Sequence, residues 1–241
     1  VNGDKQQDIN GLQNAVELNG NLLYRFKNKN GSQLSLKFLA IGDVLGSSKP
    51  QVIAIYGSTI YIFDAQTGAE IASYNAPSSA GGSPVIADFD GDGIADIGLA
   101  RTYNYVAIRG DGSVIWSTPI SDGSGGTGST VFDFDNDGKL EAVHFDEQNI
   151  RVYDAATGIE RIKIANSTAT AHEYPIVVDA DADGHADIIL GSSGHGIRMI
   201  SGKNKDWANT RNIWNQYSYH VTNINDDLTV PQQEVNSWEA H

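Results

Sequence analysis

The sequence predicts an all-β fold, a β-propeller built from four-stranded antiparallel blades with a period of about 45 residues. Three observations predict it. Acidic nonapeptides of one pattern, DFDGDGIAD, DFDNDGKLE and DADADGHAD, begin at Asp88, Asp133 and Asp179, 45 and then 46 residues apart. A short apolar, strand-like run follows each (IGLA, AVHF, IILG). Between the nonapeptides lie pairs of alternating apolar runs joined by tight turns, the mark of a β-hairpin.

In chain order, the repeat begins with NGDKQQDI, where Asn2, Asp4 and Asp8 fit positions 3, 5 and 9 of a worn acidic loop. The stretch 15–26 (AVELNGNLLYRF) then reads as a hairpin. A second worn loop, Asp43 to Gln51 (DVLGSSKPQ), carries Leu45, Ser47 and Gln51 where carboxylates would stand. The hairpin 59–74 follows, then the three intact loops, each trailed by its own hairpin: 105–119, 149–164 and 196–207. A last worn loop, Asn223 to Pro231, keeps Asn223, Asn225 and Asp227 and lacks an acid at position 9. Strand, acidic loop, strand, short turn, strand, hairpin turn, strand makes one blade, and 1–241 reads as a single domain of about five blades or part of a larger propeller. Six prolines, 26 glycines and no sustained helical period suit a turn-rich β chain.

The intact loops point to a hard cation. Each packs carboxylates at positions 1, 3, 5 and 9: Asp88, Asp90, Asp92 and Asp96; Asp133, Asp135, Asp137 and Glu141; Asp179, Asp181, Asp183 and Asp187. At an effective dielectric near 20, two such charges repel by about 4 kcal/mol at about 4 Å, so the loop calls for a compensating ion. An all-oxygen set suits calcium, with six to eight ligands, better than magnesium with its retained waters. The glycine at position 6 permits the backbone reversal, and the carbonyl at position 7 (Ile94, Lys139, His185) can add a ligand. About three calcium ions are expected. An EF-hand is excluded, since it closes with an acid at position 12 between helices. The competing reading is a set of solvated acidic turns without metal.

These loops resemble those of the FG-GAP and VCBS repeat families, the calcium-binding propeller blades of integrin α-chains and many bacterial surface proteins. The Phe-Gly and Gly-Ala-Pro signatures of the first family are not evident, so the likeness is to a bacterial VCBS-type relative. The stretch Thr210 to Asp227 also resembles a segment found near the end of such repeat regions. The resemblance implies calcium between the first and second strands of a blade, and a cell-surface or extracellular protein engaged in adhesion or ligand binding.

Composition narrows the partners. Net charge is −14, and the intact loops hold 12 of the 30 acids, so three calcium ions would bring the charge to −8. No basic stripe offers itself to nucleic acid or anionic membranes. No apolar run of membrane-spanning length occurs. The absence of cysteine excludes a disulfide scaffold and thiol catalysis. The expected setting is part of a larger multidomain chain outside the cell.

A propeller meander places the calcium loops and hairpin turns at one end and the irregular connections at the other, where binding usually resides. Tyr103, Asn104, Tyr105, Glu147, His172 and Tyr174 are the expected ligand residues there, facing a cell-surface glycan or a protein. No catalytic residue is assigned. The glycine stretch 122–129 lacks a phosphate loop's Gly-Lys-Ser/Thr and reads as a flexible connection. Asp122, Asp146, Glu147 and Glu173 are the remaining acids that could serve glycoside cleavage, so a carbohydrate-active enzyme stays an alternative, as does a structural spacer. Trp207, Trp214, Tyr217, Tyr219 and His220 form an aromatic patch suited to packing the last blade.

Overall fold

The computed structural model describes residues 8–75, 81–170, 172–215, 221–231 and 235–236. Its 18 strands form five antiparallel sheets in chain order. The first holds β1 (Asp8–Asn10), β2 (Asn14–Glu17) and β3 (Leu22–Arg25); the second β4 (Phe38–Gly42), β5 (Gln51–Tyr56), β6 (Thr59–Asp64) and β7 (Glu70–Asn75). The third holds β8 (Val85–Ala87), β9 (Asp96–Arg101), β10 (Asn104–Ile108) and β11 (Val114–Pro119). The fourth holds β12 (Ser129–Phe132), β13 (Glu141–Phe145), β14 (Asn149–Asp154) and β15 (Glu160–Ala165), and the fifth β16 (Ile176–Val178), β17 (Asp187–Ser192) and β18 (Gly196–Ser201). The first strands β4, β8, β12 and β16 lie side by side, so the sheets radiate from them as propeller blades do. Among the described residues no helix is long and apolar enough to cross a membrane.

Alternation decides the packing. Side chains of a strand point to opposite faces, and each sheet sends one set back to the preceding sheet and the other on to the next. In β5, Val52 and Ala54 join the core shared with the first sheet, whereas Ile53 and Ile55 join the core shared with the third. In β13, Ala142 faces back to the third sheet, while Val143 and Phe145 face the fifth. Each core is thus an inter-blade seam. Fully burying one Ile or Phe contributes about 1.5–3 kcal/mol, so the seams hold the array together.

A second device recurs at the seams. The outer-strand aromatics reach over the hairpin turn of the next sheet: Tyr24 donates to the Ala65 carbonyl (2.6 Å) and the Trp116 indole N–H to the Ala155 carbonyl (2.6 Å). Their rings lie against that turn's glycine, where a Cβ would come within 2.2 Å of Tyr24 at Gly68 and 2.5 Å of Trp116 at Gly158. Tyr74 takes the same place over Gly112.

The fifth sheet departs from the expected pattern. The stretch 196–207 reads as a hairpin in sequence, but only its first half is a strand. After β18 comes a 3-10 turn, Lys203–Lys205, and among the described residues nothing pairs with the outer edge of β18. Asn204 and Lys205 adopt left-handed backbone, and Trp207 tucks against Gly202 and Phe134 (ring centroids 4.7 Å). Trp214 packs beside Tyr174 (6.1 Å). These two aromatics serve packing; Tyr217, Tyr219 and His220 lie outside the described residues.

Candidate metal centre

Each intact nonapeptide joins the first and second strands of its sheet, β8 to β9, β12 to β13 and β16 to β17. The turn is wound around its own first carboxylate. Asp88 accepts the Gly93 amide at 2.8 Å, Asp133 the Gly138 amide at 2.8 Å and Asp179 the Gly184 amide at 3.1 Å. Those glycines sit at φ of 86°, 82° and 91°, which L side chains rarely adopt, so glycine at position 6 has a backbone reason. The position-9 acid opens the second strand and accepts the position-2 amide: Phe89 to Asp96 (3.0 Å), Phe134 to Glu141 (3.0 Å) and Ala180 to Asp187 (2.9 Å).

Positions 1, 3 and 9 are thereby brought together. In Asp88, Asp90 and Asp96, in Asp133, Asp135 and Glu141, and in Asp179, Asp181 and Asp187, one carboxylate oxygen from each residue lies within 4.8 Å of the others. Asp92, Asp137 and Asp183 at position 5 stand outside these groups, each accepting the position-7 amide of Ile94, Lys139 or His185 at 2.8, 2.8 and 2.9 Å. The ring of His185 is engaged elsewhere, with Nδ1 2.8 Å from the Trp207 carbonyl.

The donors fit a hard cation. They are all oxygen, and Glu141, only 3% exposed, buries an Oε1 that accepts no hydrogen bond among the described residues and has the Arg161 guanidinium 3.2 Å away, so this carboxylate already draws positive charge toward it. Burial, reinforced by neighbouring Asp90 and Asp92, pushes the Asp96 pKa up to about 7. Burial also raises that of Glu141, with Asp135 and Asp133 adding to it. A basic side chain from outside the loop attends each one: Arg109 bonds Asp90, Arg161 lies 3.1 Å from Asp135 and 3.2 Å from Glu141, and Lys205 lies 3.3 Å from Asp183. These cations were invisible to sequence reasoning, since they come from the hairpin side of the same sheet, well separated from the loop in sequence.

The worn loops solve the charge problem differently. In Asp43 to Gln51, Asp43 accepts the Ser47 and Ser48 amides (2.9 and 2.6 Å), and the Gln51 carboxamide bonds Ser47 Oγ (3.0 Å), the Lys49 carbonyl and the Leu45 amide. Burial works against the Asp43 carboxylate, but these bonds hold its pKa below the ordinary value. In Asn223 to Pro231, Asn225 and Asp227 are tied to Thr229. Asn2 and Asp4 lie outside the described residues.

At the opposite end the expected ligand residues divide. Tyr103 is 61% exposed and holds φ of 63°. Glu147 is exposed beside it, accepting the Gly123 amide (3.2 Å) and the Thr170 hydroxyl (3.4 Å). Asn104 opens β10, half-buried; His172 is exposed and 6.3 Å from the Phe38 ring; Tyr174 is half-buried against Gly128. Tyr105 is a correction. It is wholly buried among Trp116, Tyr153 and His144 and donates to Ser129 Oγ (2.9 Å), because the turn after β9 is too short to leave it outside.

The glycine stretch is a second correction. Asp122, fully buried, accepts the Ser124 and Gly125 amides, Gly125 approaches the Thr102 amide, and a Cβ on Gly128 would lie 2.1 Å from Tyr174. The glycines there permit close packing rather than mobility. Asp146 is also enclosed, ion-paired to Arg151 Nε at 2.7 Å. Neither acid is open to a sugar.

No protein-family model matches the chain, and no curated protein sequence does. Solved structures match the fold. The V. cholerae biofilm matrix protein Bap1 superposes with a TM-score of 0.81 at 16% identity, covering 98% of this chain and 68% of that one. BamB from Moraxella catarrhalis gives 0.50 at 11% identity over 82% of this chain and 61% of that one. The WD40 β-propeller domain of Doa1 gives 0.50 at 16% identity over 81% and 59%. The fold is a β-propeller, and the chain spans about two thirds of the length of these structures or less.

Proposed function

We propose that this chain is a calcium-stabilised β-propeller of VCBS type that acts outside the cell as an adhesion or matrix module. The observation that carries the metal assignment is the threefold convergence of carboxylates at positions 1, 3 and 9 on one turn geometry. Asp88, Asp90 and Asp96, with their counterparts, would hold the ions. Calcium supplies charge neutralisation and pins the turn between first and second strands. The matrix role is supported by the overall likeness to Bap1, itself a biofilm matrix protein. The ligand face would lie opposite the metals, around Tyr103, Asn104, Glu147, His172 and Tyr174, presenting an aromatic ring beside a carboxylate to a glycan or protein.

Calorimetric titration of calcium into chelator-treated protein tests the first part. About three sites are expected, in the roughly micromolar to millimolar range open to extracellular modules; no heat and no thermal shift would refute it. A glycan and matrix-polysaccharide array, with calcium and with chelator, tests the second. Tyr103→Ala with Glu147→Gln should remove binding while leaving calcium stoichiometry intact. Turnover of any polysaccharide on the panel would favour the enzyme reading instead.

A further inference from the structure

The array has a leading face that nothing among the described residues covers. By register, one cross-strand pair in each sheet faces the preceding sheet: Val52 and Phe63 in the second, Ile97 and Ile108 in the third, Ala142 and Tyr153 in the fourth, Ile188 and Ile200 in the fifth. All of these sit in or against an inter-blade core. The corresponding pair in the first sheet is Ile9 and Val16, and Ile9 is 53% exposed. At the other end, Ile197 and Met199 of β18 occupy the register places of buried Ile150 and Val152 and are 80% and 50% exposed. The five sheets therefore form an arc whose two end faces do not meet.

Gly20 supplies an independent sign of what belongs on the leading face. It is the glycine of the β2–β3 turn, at φ of 88°, and its amide donates to the Glu17 carbonyl as that of Gly112 does to Arg109 and that of Gly158 to Asp154. Gly68, Gly112 and Gly158 each lie under an outer-strand Tyr or Trp of the preceding sheet, whereas among the described residues nothing stands within 4 Å of the Gly20 position. The apolar pair and the open turn are two halves of one seam.

We infer that the first sheet is a docking surface for a further complete blade of the same repeat, whose inner strands cover Ile9 and Val16 and whose outer-strand aromatic lies over Gly20. A second copy of this chain fits less well, because among the described residues the fifth sheet has no outer strand to bring that aromatic.

The test is an extended chain in which residues 38–95 are duplicated ahead of Asp8, so that Asp8 follows the copy's Ala95 as Asp96 does. The added blade brings its own Tyr74. A second extension duplicates 81–140 in the same place and brings Trp116. Hydrogen exchange should slow at Ile9, Asn10, Ala15 and Val16 by at least about tenfold in either. Tyr74→Ala in the added copy alone, and separately Ile9→Lys, should reverse that protection. Unchanged exchange in both extensions, whether the added residues fold or are clipped by protease, overturns the inference. Sedimentation of the unextended chain supplies the other arm. Self-association lost in Ile9→Lys and in Ile197→Lys, but restored as a heterodimer when the two variants are mixed, would make the occupant a second copy and overturn it as well.

Discussion

The loop at Asp43 and the loop at Asp88 occupy the same place in neighbouring sheets and reach opposite electrostatic solutions. In the first, the Gln51 carboxamide fills the interior, bonding Ser47, Lys49 and Leu45, and the single carboxylate of Asp43 is satisfied by backbone amides. In the second, Asp88, Asp90 and Asp96 converge, and the pKa of Asp96 is pushed up to about 7. The turn itself needs only a first-position acid and a residue that tolerates left-handed backbone. The extra carboxylates are not needed to make it, which is why they point to an ion.

Calcium removal should break this contrast most visibly. Each site at 100-fold excess over its Kd adds about 2.7 kcal/mol, so three sites held together should raise Tm by roughly 15 °C or more for a chain of this size. A scan in calcium and in chelator checks it. A smaller effect separates the loops by mutation. Asp96→Asn should cut the calorimetric stoichiometry from about three to about two and leave chelator-treated stability unchanged or higher. Gln51→Asp should instead destabilise the protein by about 1–3 kcal/mol in either condition, since it strips hydrogen bonds without completing a metal site. If calcium rescued Gln51→Asp, the two loops would not differ as described.

The pH profile supplies a control outside both loops. Burial pushes the His144 pKa down to about 4 from its ordinary 6.5, against the pull of Asp122 and Asp146. The unfolded chain binds the proton first, so this contribution is complete above pH 6.5 and is lost as pH falls toward 4. Its slope, at most about 1.4 kcal/mol per pH unit, should be the same with calcium and with chelator. Denaturation midpoints from pH 4 to 8 measure it, and a divergence between the two series would report the metal loops alone. The smallest change should come from Arg161→Gln. Removing a half-exposed cation near Asp135 and Glu141 should tighten calcium at the second intact loop by no more than about fivefold, as expected of a partly exposed ion pair. Competition titration against a chromophoric chelator resolves a change of that size.

Much of this was legible in the residues. The acidic turns stood out because their acids recur in a fixed frame, and the strands around them because apolar alternation runs up to each turn. Tyr105 was not legible. Which face a strand residue takes depends on where a two-residue turn ends, and a slip of one position moves it from surface to core. The failed hairpin after β18 has the same character: KNKDW could have continued the ladder, but Trp207 found a better place against Phe134. The inter-blade aromatics left a faint signal, an outer-strand Tyr or Trp answered by a turn glycine one repeat later.

From the sequence alone came the repeat length, the order of strands and turns, and the crowding of carboxylates in three turns, because each is a local pattern written into consecutive residues. The tertiary structure alone decided which acids converge, which arginine or lysine attends each loop, which aromatics cross between blades, and that Ile9 and Ile197 stay uncovered. Those depend on how one sheet lies against the next, and no stretch within a single repeat encodes that distance.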